Sequence, residues 1–303
     1  MNPLEVEFAG VKFPNPVVTA SGTFNFGKEY AHLYPLSRLG AITTKGTSPG
    51  PIPGAPPPRI TETPGGMLNA IGLENKGVEA YLKDELPWLK EQGARVIVNV
   101  FGETPAEFAL VAGKVSPFAE MIEVNLSCPN VHAGGLPYAH DPGAAAEVVR
   151  AVKDATDRPV LAKLSPEGPT LKVAEAVEKA GADGFSLINT IRGMRIDLEA
   201  RRPVLGHKTG GLSGPAIKPL AVRLVWELYQ NTDKPILGMG GIRTVEDALE
   251  FALAGARMVA VGTATFADPY APIKLVEGLE RFFSSRKDIW LNWVGEIEGL
   301  TYQ

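Results

Sequence analysis

The stretch "DPGAAAEVVRAVKDATDRPVLAKLS", residues 141–165, reads as a helix followed at once by a strand. Asp141 is suited to cap the helix, because its carboxylate can accept from backbone N–H groups left unpaired in a first helical turn. Pro142 suits the first helical position, where a missing N–H costs nothing. After Pro159 the pattern becomes the unbroken apolar run "VLAKL". A strand buried on both faces reads this way, without polar alternation. A second such run, "MIEVNLSC" (121–128), precedes the helix, so the unit is strand–helix–strand.

The alternation continues in both directions. Apolar runs stand at "PVVTASG" (16–22), "AITTKG" (41–46), "VIVNVFG" (96–102), "PVLAKLS" (159–165), "GFSLINT" (184–190), "PILGMGG" (235–241) and "MVAVGTATF" (258–266). Helix-period segments separate several of them. "GVEAYLKDELPWLKEQG" ends at Gly93 before a strand, and "TVEDALEFALAGA" offers Thr244 as cap with Asp247 three residues on, a variant of the capping box. Strands alternating with helices imply a parallel sheet, and eight of them in about 300 residues suit a closed (β/α)8 barrel of the TIM type. An open doubly wound sheet is the alternative, disfavoured because no G-x-G-x-x-G follows the first strand. We expect one domain over residues 1–303, with no internal repeat beyond the strand–helix unit.

Composition bounds the function. Thirty Lys and Arg against 34 Asp and Glu leave a formal charge of −4, which argues against nucleic acid or an anionic membrane as partner. One cysteine excludes an internal disulfide, an iron–sulfur cluster or a Cys-rich zinc site built by this chain alone, and the four histidines form no metal motif. No basic flank with a long apolar core marks a signal peptide, and no run of about 18 apolar residues marks a membrane span, so the cytoplasm is the expected location.

In such barrels the active site lies at the C-terminal strand ends. These ends carry Ser21; Lys45 and Gly46; Asn99; Asn125 and Cys128; Lys163; Asn189 and Thr190; Gly240 and Gly241; Gly262 and Thr263. Any one polar strand end is unremarkable. Two lysines and three asparagines converging on one mouth suggest a ligand. The Pro- and Gly-rich connection 47–75 and the connection 191–213 are long enough to fold over that mouth. The glycines after the seventh and eighth strands suit a phosphate, and with Lys163, Asn99 and Asn125 deeper in the mouth they suit flavin mononucleotide (FMN). A lysine inside "LAKLS" needs a buried partner. Spacing leaves open whether Lys163 serves a flavin or forms a Schiff base.

Six motifs, "TTKG", "LNAIGLEN", "NLSCPNV", "GLSGPAIKP", "GMGGI" and "VGTATF", together resemble the class 1 dihydroorotate dehydrogenases, over roughly Phe8 to Phe266. "NLSCPNVHAGG" and "GLSGPAIKP" are closest to subclass 1B. The segment "RKDIWLNWVGEIEGLTYQ" carries no part of the resemblance. The resemblance implies FMN-dependent oxidation of dihydroorotate to orotate, with Cys128 as catalytic base removing the C5 proton. It implies substrate contacts from Lys45, Asn69, Ala70, Ile71, Gly72, Leu73, Asn125, Asn189 and Thr190. It implies FMN contacts from Ser21, Lys45, Gly46, Asn99, Asn125, Lys163, Ile188, Gly214, Gly240, Gly241, Gly262 and Thr263. Subclass 1B further implies a homodimer joined to an iron–sulfur flavoprotein, which carries FAD and a [2Fe–2S] cluster and reduces NAD, in a heterotetramer. The stretch after Cys128, with Gly134 and Gly135 as hinge, reads as a lid, and His132 and His140 as exposed loop histidines.

Four other readings compete. A class 1A enzyme would discharge to fumarate without a partner. A tRNA dihydrouridine synthase would need a basic RNA-binding domain, against the acidic balance. A Schiff-base aldolase, or a non-catalytic phosphate-binding barrel, would hold no flavin.

Overall fold

The computed structural model describes residues 2–127, 129–130 and 136–297. Its centre is a closed barrel of β1 (Val17–Thr19), β2 (Ala41–Thr43), β3 (Val96–Val100), β4 (Met121–Asn125), β5 (Val160–Lys163), β6 (Gly184–Leu187), β7 (Ile236–Met239) and β8 (Ala256–Val261). The strands are parallel and follow chain order, and β8 closes on β1 through Val259–Val17 and Val261–Thr19. Each apolar run of the sequence supplies one strand, and nearly every strand residue is buried. The closed sheet has no free edge, which excludes the doubly wound alternative.

Local chemistry sets the helix ends. Asp141 Oδ1 accepts from the N–H groups of Gly143 and Ala144, at 2.9 and 3.0 Å, and starts the helix Pro142–Ala155. Thr244 and Asp247 form the reciprocal capping box of the helix Val245–Leu253. In the segment before β3, Pro87 has no N–H to donate, and the helix widens to a π turn over Tyr81–Glu85 just ahead of it.

Asp247 also joins two helices, since Lys218 Nζ donates to its Oδ1 at 2.8 Å. Burial alone would raise its pKa, but the Lys218 ammonium and the N–H groups of Arg243 and Thr244 outweigh it and hold the carboxyl below its usual range. A depressed carboxyl stabilises the fold above its unfolded pKa, and that contribution disappears as pH falls through the lower folded value. Asp247→Asn is therefore expected to cost about 1–2 kcal/mol at neutral pH. The gap to the parent protein should close below about pH 4, as measured by denaturant unfolding across a pH series. A gap that stays constant at acid pH would count against the ion pair.

Two long connections cover the mouth, as the sequence leads one to expect, but they do so jointly. Ile60–Thr63 and Gly66–Asn69 from the first pair with Thr209–Ser213 and Ile191–Met194 from the second in one four-stranded antiparallel sheet. Gly66 lies at the junction: a Cβ there would sit 1.9 Å from the carbonyl oxygen of Ser213, so only glycine permits the approach.

The opposite end is closed by a hairpin, Val6–Phe8 with Val11–Phe13, whose Phe8 and Phe13 are buried. The C-terminal segment adds to this closure. Trp290 is fully buried, its N–H donates to Pro3 O, and its indole Nε1 donates to Arg257 O at the start of β8. The segment that carries no part of the resemblance is, up to residue 297, a structural plug on the face away from the mouth. Among the described residues no helix is long and apolar enough to cross a membrane.

Candidate active site

The barrel mouth opens into a cavity of about 1390 Å³ beneath the four-stranded sheet. The predicted strand-end residues line it from all sides: Ser21 after β1, Lys45 and Gly46 after β2, Asn99 on β3, Asn125 on β4, Lys163 on β5. Ile188, Asn189 and Thr190 follow from β6, Gly240 and Gly241 from β7, and Gly262 and Thr263 from β8. Gly214 and the stretch Asn69, Ala70, Ile71, Gly72 and Leu73 come from the covering connections. Every predicted position within the described residues thus meets at one cavity. Cys128 and residues 131–135, with His132, Gly134 and Gly135, lie outside the described residues.

The floor holds a buried ionic network. Lys163 points into the barrel, as a lysine on a strand buried on both faces must if it is to reach a ligand. Its Nζ donates to Ser21 Oγ at 3.0 Å and stands 3.6 Å from Glu123 Oε1. Glu123, wholly buried, also accepts from Asn99 Nδ2 at 2.6 Å and Ser186 Oγ at 2.7 Å. The partner that a buried lysine requires is therefore Glu123, which sequence reading missed. The signal was available: a carboxylate inside the apolar run "MIEVNL", two residues before Asn125 and so on the same strand face. Lys45 has no carboxylate within ion-pair distance among the described residues, so its charge faces the cavity unopposed.

Above the floor lies an amide cluster. Asn125 Oδ1 accepts from Ser127 N and from Asn189 Nδ2, at 3.2 and 3.3 Å. Asn189 Nδ2 also reaches Ser127 Oγ at 2.8 Å, and its Oδ1 accepts from Thr190 N. These bonds fix which end of each amide is spoken for. Among the described residues no acceptor takes the Asn125 N–H groups, which remain for a ligand. Asn69 Nδ2 donates to Gly211 O and Thr263 Oγ1 to Ser213 Oγ, so the covering sheet is bonded both within itself and to the end of β8. Ser127, Ser213, Glu167, Arg192, His140 and His207 also line the cavity, none of them singled out as a ligand contact from sequence. His140 is exposed, in keeping with its reading as a loop histidine.

The glycines at the ends of β7 and β8 form a separate corner. Gly240 and Gly241 have φ of +129° and +84°, a backbone that L side chains rarely adopt. A Cβ on Gly241 would lie 2.9 Å from Gly214 O. The corner therefore presents bare backbone to the cavity. Among the described residues no group of His, Cys, Asp and Glu is placed to hold a metal ion.

A (β/α)8 barrel with cations, amides and bare glycine backbone gathered at the C-terminal strand ends is built as an enzyme, with a mouth that suits an anionic ligand. The chain belongs to the dihydroorotate dehydrogenase family, whose profile matches residues 3–283. It is 52% identical over 282 residues, 92% of each chain, to a protein of Geotalea uraniireducens named dihydroorotate dehydrogenase B (NAD(+)), catalytic subunit. Proteins of the same name from Trichlorobacter lovleyi and Bacillus cereus are 48% and 46% identical, covering 98% and 100% of this chain and 99% and 98% of theirs. The fold also matches a solved dihydroorotate dehydrogenase of Eimeria tenella in complex with ferulenol, with a TM-score of 0.79 over 97% of this chain and 88% of that one, at 21% identity. At that identity the likeness speaks for the fold alone.

Proposed function

We propose that the chain is the catalytic subunit of an NAD-linked dihydroorotate dehydrogenase, which binds FMN and oxidises dihydroorotate to orotate. The observation that supports this best is the meeting of Lys45, Lys163, four asparagines and the glycine-bearing ends of β7 and β8 at one cavity. It occurs in a chain about half identical to relatives of that name over nearly their full length.

The cavity suits FMN. At about 1390 Å³ it exceeds the roughly 300–1,000 Å³ of ordinary small-molecule pockets, leaving room for a flavin and a second ring beside it. Ser21, Lys45, Gly46, Asn99, Asn125, Lys163 and Ile188 would hold its ring. Gly214, Gly240, Gly241, Gly262 and Thr263 form the corner for its phosphate. When bound, FMN supplies the acceptor for the hydride that leaves dihydroorotate C6.

The remaining work falls to the chain's own residues. Asn69, Asn125, Asn189 and Thr190 offer the donors and acceptors that a carboxylated cyclic imide needs, and Ala70, Ile71, Gly72 and Leu73 shape the wall beside it. Lys45, with its charge unopposed, favours the anionic substrate. The covering sheet shields one side of the cavity from water, which strengthens the interactions beneath it. Cys128 takes the proton from C5. The whole chain, residues 1–303, acts as one FMN-binding unit. Electrons leave through a second polypeptide bearing FAD and a [2Fe–2S] cluster, attached to a dimer of this chain in a heterotetramer in the cytoplasm.

The purified protein is expected to show flavin absorption, and anaerobic dihydroorotate should bleach it in a single turnover, one orotate formed per flavin. A colourless protein that takes up no added FMN, or a flavin that dihydroorotate leaves oxidised, would refute the proposal.

A further inference from the structure

We infer that Glu123 is a positioning residue of this site: it is the ionised counter-charge of Lys163, and the two set the driving force for flavin reduction as a compensated pair. The redox part of this inference rests on the flavin reading above; the pairing itself does not.

The geometry carries the argument. Glu123 sits mid-strand on β4 with no solvent exposure, level with Asn99 on β3 and Leu161 on β5. Both carboxylate oxygens are engaged: Oε1 by Asn99 Nδ2 at 2.6 Å and by the Lys163 ammonium at 3.6 Å, Oε2 by Ser186 Oγ at 2.7 Å. Two hydrogen-bond donors and a buried ammonium, converging from three different strands, favour the carboxylate form. Lys163 is nearly as buried, 7% exposed at its side chain, and bonded on its other side to Ser21 Oγ. A barrel interior tolerates either charge only because the other is present.

The arrangement also fixes the Asn99 amide. Its NH2 faces the carboxylate, so its Oδ1 faces Gly46, where a Cβ would lie 2.9 Å away. Glu123 thus reaches the cavity through two lining residues at once. It orients an acceptor on Asn99, and it offsets the field of Lys163 at the ring. Lys45, which has no such counter-charge among the described residues, is left as the uncompensated cation of the site.

A carboxylate that only held the strands together would affect stability and leave the flavin's potential unchanged. The test therefore reads the potential of the bound flavin and the melting of the apoprotein, in Glu123→Gln, Lys163→Gln and the double variant. Glutamine is nearly isosteric: its Oε1 can keep Asn99 and Lys163, and its Nε2 can donate to a turned Ser186 hydroxyl. At a fixed reference-dye poise, Glu123→Gln should raise the ratio of reduced to oxidised flavin about 10- to 100-fold, the order expected for one charge removed roughly 6–12 Å from the ring at an effective dielectric constant of ~20. Lys163→Gln should lower the ratio comparably, and the double variant should return close to the parent. An unmoved ratio in Glu123→Gln, or shifts of the same sign in both single variants, would overturn the redox role.

Apoprotein melting judges the pairing without flavin. Each single variant strands one buried charge, so the double variant should melt higher than either, and it carries this test even if a single variant fails to fold. Additive losses in the double variant would overturn the pair. Failure of the parent protein to bind FMN would instead refute the flavin reading and leave the melting result to decide the pair.

Discussion

Cys128→Ala is expected to slow dihydroorotate oxidation by about 10²–10⁴-fold, the usual contribution of a positioned general base, while FMN remains bound. Ser127 is held twice, its N–H by Asn125 Oδ1 and its hydroxyl by Asn189 Nδ2 at 2.8 Å. The chain is therefore held as far as Ser127, beside the amides proposed for the substrate. A thiol is a usable base near neutral pH because its reference pKa is about 8.5. A hydroxyl is far harder to ionise, so Cys128→Ser should retain a trace of activity that grows with pH. Anaerobic stopped-flow reduction of the flavin, measured across pH, reads the proton step directly. Flavin occupancy, taken from absorbance, separates loss of chemistry from loss of cofactor. A near-parental rate in the alanine variant would remove Cys128 from the mechanism.

What could be read in advance, and what could not, divides along physical lines. The barrel strands are buried on both faces, so each leaves an unbroken apolar run, and a polar ending such as Asn99 or Lys163 interrupts it visibly. Helix caps are local, so Asp141 and the Thr244–Asp247 pair could be assigned from a few residues each. The covering sheet is the opposite case. Its strands are largely half-buried, and the glycine-rich "TGGLS" at 209–213, which joins the two connections, pairs on one side with Met67–Asn69, more than 100 residues away. They carry no alternation to read, so the sequence indicated long connections over the mouth but not their pairing.

The terminal plug was hidden for a related reason. Trp290 is placed by bonds to Pro3 and Arg257, both remote in sequence. Glu123 is different again: it was visible as an anomaly in "MIEVNL", but its meaning depended on Lys163, Asn99 and Ser186 arriving from three other strands. The strand-end rule found the residues facing the ligand, and it does not look one layer below them.

The electrons taken from dihydroorotate must leave this chain, and their route yields the second large effect. The chain has one cysteine, so it cannot assemble an iron–sulfur relay alone. It has no G-x-G-x-x-G after a strand to hold NAD. Yet relatives sharing about half its residues over nearly their full length are named for NAD and described as catalytic subunits. A subunit that does the organic chemistry but lacks the parts for NAD chemistry would pass its electrons to NAD through a second polypeptide. The isolated chain should therefore oxidise dihydroorotate rapidly with artificial acceptors but reduce NAD only marginally. Complex co-purified from native cells should restore NAD reduction by at least about 10²-fold, a size set by the difference between a held and a freely diffusing redox partner. The subunit ratio of that complex would show whether a dimer of this chain forms its core. The competing outcome is equally definite. A homodimer with no flavoprotein attached that passes electrons efficiently to fumarate would place the chain with the class 1A enzymes. The base, the amides and the Lys163–Glu123 pair would keep their roles, because they act before the electrons leave the flavin.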